Sequence, residues 1–185
     1  MRFREHLEIE GSHAFMGASK YHWIHDDLEK IERRWDNQFA SARGTRLHRL
    51  AKFCIEERQR LADLPLTLNM YVNDAIGFRM TPEVAFVYSE NCFGTADAAK
   101  FEKGIFRVHD LKTGQHPASF HQTEVYCALF CLEYDVNPYD IEMIMRIYQS
   151  DQVFEQVADP NAIRAIMDRV LQYDPLIEKK KAVML

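Results

Sequence analysis

The segment from residue 83 to residue 111 limits most strongly what this chain can fold into. Its apolar residues follow strand patterns in three runs, at 84–87, 93–101 and 105–111. Between the last two runs, Glu102-Lys103-Gly104-Ile105 is typical of a tight hairpin turn, because glycine readily takes the positive backbone angle that such a turn needs. The segment therefore predicts three antiparallel strands joined by short turns.

The hairpin turn also predicts which side chains meet. If Lys103 and Gly104 are the two central turn residues, counting back along both strands places Asp97 opposite Asp110. Directly opposed carboxylates destabilise a sheet unless a cation neutralises them, and strand alternation turns Lys112 to the same side. Such a group suits phosphodiester hydrolysis assisted by a divalent cation. An ordinary ion pair on the surface of a hairpin is the competing interpretation.

Helical periodicity surrounds these strands and predicts the remaining elements. We expect helices over about 19–39, about 45–61, 66–76 and 118–134, a fourth strand over 141–148, and a last helix from Pro160 to about 181. Ser19 and Thr45 are the predicted caps of the first two helices. The chain is thus predicted to be a single α/β domain over residues 1–185.

Composition excludes several classes of protein. The formal net charge of -5 argues against a protein that coats nucleic acid non-specifically, because such binding rests on clustered Lys and Arg. The chain has no apolar run of about eighteen residues, and its first ten residues are too charged for a secretory signal, so a cytoplasmic location is expected. The four cysteines form no C-x-x-C pair and are expected to be reduced thiols: Cys54, Cys92, Cys127 and Cys131.

Three short motifs follow one another along the chain: Gly94-Thr95-Ala96-Asp97, Asp110-Leu111-Lys112-Thr113-Gly114 and Gln122-Thr123-Glu124-Val125-Tyr126. In order and spacing they resemble the G-x-x-D, D-x-K-T-G and Q-x-x-x-Y motifs of the RecB-like branch of the PD-(D/E)XK nuclease superfamily. The resemblance covers about residues 43–148. It implies a nuclease core of helix, three antiparallel strands, helix and strand, with flanking helices.

The resemblance also implies a ligand set for Mg²⁺ or Mn²⁺. Asp97 and Asp110 would bind the metal through their side chains, Leu111 through its backbone carbonyl, and Lys112 would be the catalytic lysine. His48, in Gly44-Thr45-Arg46-Leu47-His48, resembles the histidine that reaches the metal from the first core helix of that branch. A histidine on a helix flank is otherwise most often an exposed or capped side chain.

Further residues are implied around this centre. Gln122 and Tyr126 lie four residues apart on one helix face and would position the lysine, the attacking water or the DNA backbone; a helix surface with a half-buried tyrosine is the alternative. Predicted contacts to DNA are Ser19, Arg43, Arg46 and Thr113. No iron-sulfur cluster is predicted, since relatives that hold one have three cysteines after the core and this chain has none after Cys131.

The predicted function is therefore a metal-dependent DNA nuclease. By the resemblance to compact, often phage-borne enzymes of DNA recombination and repair, an exonuclease is preferred. A homo-oligomer and a single-strand annealing or recombination protein are the expected partners besides DNA. The alternatives are a structure-specific or nicking endonuclease, a non-catalytic DNA-binding or inhibitor module with the same fold, and a structural protein with an incidental acidic hairpin.

Overall fold

A computed structural model describes residues 13–114, 117 and 119–184 of the chain. The architecture is mixed α/β, with a five-stranded sheet and flanking helices. The chain divides into two compact units between Arg43 and Gly44. The prediction of one functional domain stays a prediction.

The first unit contains a 3-10 segment, Ala18–His25, and the beginning of helix α1, Leu28–Glu56. Asp27 caps α1, because its Oδ1 accepts a hydrogen bond of 2.8 Å from the Lys30 backbone N–H. Ser19, the predicted cap of a helix over 19–39, instead lies inside the 3-10 segment, which has no side-chain cap. The prediction of one regular helix over that range was wrong for residues 19–27.

Helix α1 is continuous where the sequence predicted two helices. Thr45, the predicted cap of the second, lies in its middle. Gly44 does not end the helix because it is buried in a close contact: a Cβ at this position would lie 2.7 Å from the Thr113 Oγ1. A helical glycine costs about 1 kcal/mol relative to alanine, and here it leaves space for a packed neighbour.

The second unit holds the sheet and the remaining helices. Its elements are α2 (Thr67–Gly77), β1 (Thr81–Ser89), β2 (Cys92–Glu102), β3 (Ile105–Leu111), α3 (His121–Glu133), β4 (Glu142–Gln149), β5 (Gln152–Val157) and α4 (Pro160–Met184). The strands lie in sequence order, and all neighbours are antiparallel except β3 and β4. The predicted three-stranded antiparallel segment, the fourth strand and the last helix are confirmed.

The predicted hairpin register is also confirmed. Glu102 pairs with Ile105, and Lys103 and Gly104 have positive φ angles of 53° and 78°. This is the backbone twist that suits a two-residue hairpin turn.

Two other predictions need correction. Strand β5 was not predicted, because it is an edge strand whose residues are all exposed and therefore lacks a buried apolar pattern. It follows β4 through a turn in which Ser150 and Asp151 have positive φ. Helix α3 begins at His121, and Ala118, the predicted start, lies outside the described residues.

Two apolar clusters pack on the sheet. On one side, α3 and α4 cover a cluster in which the rings of Phe106 and Phe130 stack 4.1 Å apart, with Phe86 edge-on to both. The other cluster joins α1 and α2 to the sheet through buried residues that include Tyr71 and Tyr148, whose rings meet edge to face at 5.4 Å. None of the helices in the described ranges combines the length and apolar character that crossing a membrane requires.

Two glycine substitutions test the role of the hairpin turn. Gly104→Ala should lower the free energy of unfolding by about 1–2 kcal/mol, because an L-residue is strained at this φ of 78° even though no atom lies within 4 Å of the added Cβ. Gly114→Ala is the matched control: its Cβ would also meet nothing within 4 Å, and its φ lies outside the left-handed region. Urea unfolding of both variants measures the difference, and equal losses would contradict the assignment of the strain to the turn.

Candidate metal-binding and catalytic site

The candidate site lies where β2 and β3 stop pairing. Their ladder ends at Ala98 and His109, one pair before Asp97 and Asp110, and Asp97 Oδ2 instead accepts a 2.7 Å hydrogen bond from the Leu111 N–H. Strand alternation also breaks here. Residues two apart in a regular strand point to the same side of the sheet, but Ala96 packs in the cluster under α3 and Ala98 in the cluster under α1 and α2. The predicted direct opposition of the two aspartates is therefore replaced by a local opening of the sheet.

A group of three metal-ligating side chains gathers at this opening. His48 of α1 places its Nδ1 3.1 Å from Asp97 Oδ1. Glu83 of β1 joins them, and one ligand atom from each of the three residues lies within 4.8 Å of the other two. The structure thus brings together the predicted His48 and Asp97 and adds a carboxylate that the sequence analysis missed.

Glu83 was missed because its position depends on an irregularity in β1. The register between β1 and β2 shifts by one residue between Val87 and Ser89, so Glu83 rather than Val84 lies level with Asp97. Glu83 also has a positive φ of 52°, uncommon for a residue with a side chain. The only signal in the sequence was an acidic residue at the start of an otherwise apolar strand.

Buried Asp110 and partly exposed Lys112 form a second group beside the first. Lys112 Nζ donates to Asp110 Oδ1 at 3.1 Å and lies 3.0 Å from Oδ2. Oδ2 is buried and accepts no hydrogen bond of good geometry from any described residue. Burial raises the pKa of Asp110, the negative charge of Asp97 raises it further, and Lys112 opposes both. One carboxylate oxygen therefore remains unsatisfied in a place where desolvation is costly.

Gln122 and Tyr126 of α3 hold the lysine in place. Lys112 Nζ donates to Gln122 Oε1 at 2.5 Å, Gln122 Nε2 donates to the Tyr126 hydroxyl at 2.8 Å, and that hydroxyl donates to the Thr95 carbonyl at 2.7 Å. This chain connects α3 to β2 through the two residues of the Q-x-x-x-Y motif. In this series of hydrogen bonds, Gln122 contacts Lys112 directly, and Tyr126 acts on the lysine through Gln122.

The glycine of the first motif makes room for the tyrosine of the third. A Cβ at Gly94 would lie 2.9 Å from Cε1 of Tyr126, a ring whose hydroxyl is fixed by hydrogen bonds and which is nearly buried. The three motifs are therefore one packed unit. Gly94 leaves space for the Tyr126 ring, the hydroxyl of that ring accepts a hydrogen bond from Gln122, and Gln122 accepts one from Lys112.

The electrostatics of the site favour a bound cation. The hydrogen bond to Asp97 raises the pKa of His48 against the opposing effect of burial, and the charges of Glu83 and Asp110 raise it further. Burial raises the pKa of Tyr71 well above its usual range, and the same three carboxylates add to the shift. The group of His48, Glu83 and Asp97, with Asp110 and its buried Oδ2 beside it, is a donor set that suits Mg²⁺ or Mn²⁺. These residues fit the predicted metal.

The structure does not gather the four residues predicted to contact DNA around the candidate site. Arg46 is two residues from His48, about 200° around α1, so it faces away from the site. Thr113 is exposed in the loop after β3 and packs next to Gly44. Ser19 and Arg43 belong to the first unit. Leu111, the predicted carbonyl ligand, lies between Asp110 and Lys112 at the end of β3.

Comparisons with protein-family models, with curated proteins and with solved structures find no match to this chain. The resemblance to RecB-like nucleases therefore rests on its motifs, and the site stands on its own geometry.

A double-mutant cycle tests the packing between Gly94 and Tyr126. Gly94→Ala should lower the free energy of unfolding by about 1–3 kcal/mol, because the added methyl group overpacks against the fixed ring. In a Tyr126→Ala background the same substitution should cost nothing, or stabilise by a few tenths of a kcal/mol, because alanine is better than glycine in a strand. Urea unfolding of the four proteins measures the coupling, and an equal cost in both backgrounds would contradict the contact.

Proposed function

We propose that this chain is a metal-dependent DNA nuclease with a PD-(D/E)XK core of the RecB-like branch. The observation that carries the proposal is the pair of buried Asp110 and partly exposed Lys112, in which one carboxylate oxygen lacks a hydrogen-bond partner among the described residues, next to the group of His48, Glu83 and Asp97. The order of helix, three antiparallel strands, helix and parallel strand supports it, because it is the order expected for that core.

The metal would be held by His48, Asp97 and Asp110, as the resemblance implies, together with Glu83. Asp110 supplies the unsatisfied Oδ2, and Asp97 shares its carboxylate between His48 and the Leu111 N–H, so its orientation is fixed before any ligand binds. When bound, Mg²⁺ or Mn²⁺ polarises a phosphoryl oxygen and acidifies a water molecule.

The role of Lys112 follows from its position. Its ammonium donates to Gln122 Oε1 and lies within 3.1 Å of both carboxylate oxygens of Asp110. Its charge would orient the attacking water or stabilise the negative charge that develops on the phosphate in the transition state. The hydrogen bond between Gln122 and Tyr126 helps to hold the ammonium in one place.

DNA is the proposed substrate, and hydrolysis from an end is the proposed mode, both through the motif resemblance. A homo-oligomer, and a single-strand annealing or recombination protein as partner, belong to the same proposal. An endonuclease, structure-specific or nicking, would use the same side chains, so the topology of the substrate separates the two.

A nuclease assay tests the function. The purified protein is incubated with linear and with covalently closed circular DNA in Mg²⁺, Mn²⁺ or EDTA, beside Lys112→Ala and the matched variant Lys100→Ala. Lys100 pairs with the exposed Glu102 on the same hairpin, away from the candidate site. We expect metal-dependent loss of linear DNA alone, with Lys112→Ala slower by about 10²–10⁴-fold and Lys100→Ala unchanged.

Other outcomes of this assay would assign a different function. Cutting of closed circles would assign an endonuclease. DNA and metal binding without cleavage would assign a non-catalytic module with this fold. If the protein binds no metal and Lys112→Ala has no effect, the hairpin is structural and Asp110 and Lys112 form an ordinary ion pair.

The contribution of Glu83 is tested by metal binding alone. Glu83→Gln should weaken Mn²⁺ binding by about tenfold or more in calorimetric titration, because one anionic donor of the group is lost. Glu90→Gln, in the turn of the same β1–β2 hairpin, removes the same charge and should leave the affinity unchanged. If Asp97→Asn abolishes binding while Glu83→Gln does not weaken it, Glu83 is not a ligand.

A further inference from the structure

Lys112, the proposed catalytic lysine, lies just beyond the last residue pair that joins β3 to β4. Strand β3 ends at Leu111, which pairs with Tyr148 of β4. One more backbone hydrogen bond follows, from the Lys112 N–H to the Tyr148 carbonyl at 2.9 Å. Strand β4 ends at Gln149, and the chain then turns into β5. The residue pairs between β3 and β4 therefore end before Lys112.

The side chain of Gln149 extends the connection past this point. Its Nε2 donates a hydrogen bond of 2.7 Å to the backbone carbonyl of Gly114, two residues after Lys112. A side-chain amide here supplies the N–H donor that a continuing strand would supply from its backbone. The segment 112–114 is thus bonded to β4 at both of its ends, by the Tyr148 carbonyl at one and by Gln149 at the other.

Gln149 lies on the side of the sheet that carries the lysine. Tyr148 and Leu111 both pack in the cluster on the side of α1 and α2, so strand alternation turns Gln149 and Lys112 to the side of α3. The ammonium of Lys112 accordingly meets Gln122 of α3. Gln149 is only 6% exposed, and a buried amide is costly unless it is hydrogen-bonded. The bond to Gly114 gives this amide a partner.

Two glutamines on different elements thus hold the two ends of the lysine. Gln122 accepts a hydrogen bond from the ammonium, whereas Gln149 holds the backbone two residues further along. A lysine side chain is long and has much rotamer freedom. Its ammonium can contact Asp110 and Gln122 together only while the backbone that carries it stays in place.

We propose that Gln149 is a positioning residue for Lys112, because its bond to the Gly114 carbonyl fixes the backbone from which the lysine reaches Asp110 and Gln122. Gln149 lies outside the three motifs, on β4, which follows them in the sequence. The effect on catalysis rests on the proposed nuclease function. The effect on the placement of the lysine rests on these contacts alone.

Substitution of Gln149 tests the effect on the reaction. Gln149→Met keeps nearly the same volume and removes the donor. It should lower kcat for DNA hydrolysis by about 10- to 100-fold with little change in KM, because a small displacement of a catalytic group costs that much. In a Lys112→Ala background the same substitution should cost no further rate, since its effect passes through the lysine. Gln156→Met, on the exposed strand β5, is the matched control and should leave the rate unchanged.

Chemical labelling tests the placement of the lysine without any nuclease activity. The full chain is treated briefly with acetic anhydride, and acetylation of Lys112 and Lys100 is measured by mass spectrometry. Lys100 pairs with Glu102 on the β2–β3 hairpin and is the internal reference. In Gln149→Met, acetylation of Lys112 should rise at least about threefold relative to Lys100, because an ammonium released from the Asp110 carboxylate loses its proton more readily and reacts faster.

The remaining outcomes separate the positioning role from the proposed function. Gln149→Asn keeps an amide but is too short to reach Gly114, so it serves the same two tests if Gln149→Met does not fold. Unchanged acetylation of Lys112, or an unchanged kcat in an active enzyme, would overturn the inference. An equal loss of rate with and without Lys112→Ala would also overturn it, because Gln149 would then act by another route. If the wild-type chain cleaves no DNA, the proposed function fails, and the acetylation ratio by itself supports or overturns the positioning role.

Discussion

The hydrogen bond from the Leu111 N–H to Asp97 Oδ2 is the interaction on which the site depends. A carboxylate takes the place of a backbone acceptor at the end of the β2–β3 ladder, so the two strands separate there without leaving this N–H unpaired. That opening leaves Asp110 and Lys112 facing α3. The same carboxylate turns its other oxygen to His48 of α1. One side chain thus links two strands and a helix around the candidate site.

Positioning of the lysine depends on packing as much as on hydrogen bonds. Gly94 provides space for the Tyr126 ring, the ring hydroxyl supports Gln122, and Gln122 holds the ammonium of Lys112. The three sequence motifs are distant along the chain, yet each one limits the geometry of the next. Because each motif depends on the packing of the next, the three motifs have a physical reason to occur together in one chain.

Much of the strand region could be predicted because local chemistry controls it. The turn at Lys103 and Gly104 fixed the β2–β3 register, and the alternation that follows from it correctly brought Lys112 beside Asp110. Glu83 could not be predicted in the same way. A one-residue shift in the register between β1 and β2 moves it level with Asp97, and nothing in the local sequence demands that shift.

The sequence by itself determined the elements whose signals are local: the hairpin, helix α3, strand β4 and helix α4, and the residues that pair across the hairpin from Glu102–Ile105 to Ala98–His109. Only the tertiary structure decided that α1 is one helix passing through Gly44, that β5 forms an edge, and that Glu83 joins His48 and Asp97. The physical reason is the same in each case. Contacts between segments far apart in sequence outweigh local preferences of a fraction of a kcal/mol to about 1 kcal/mol, and such contacts exist only after the chain has folded.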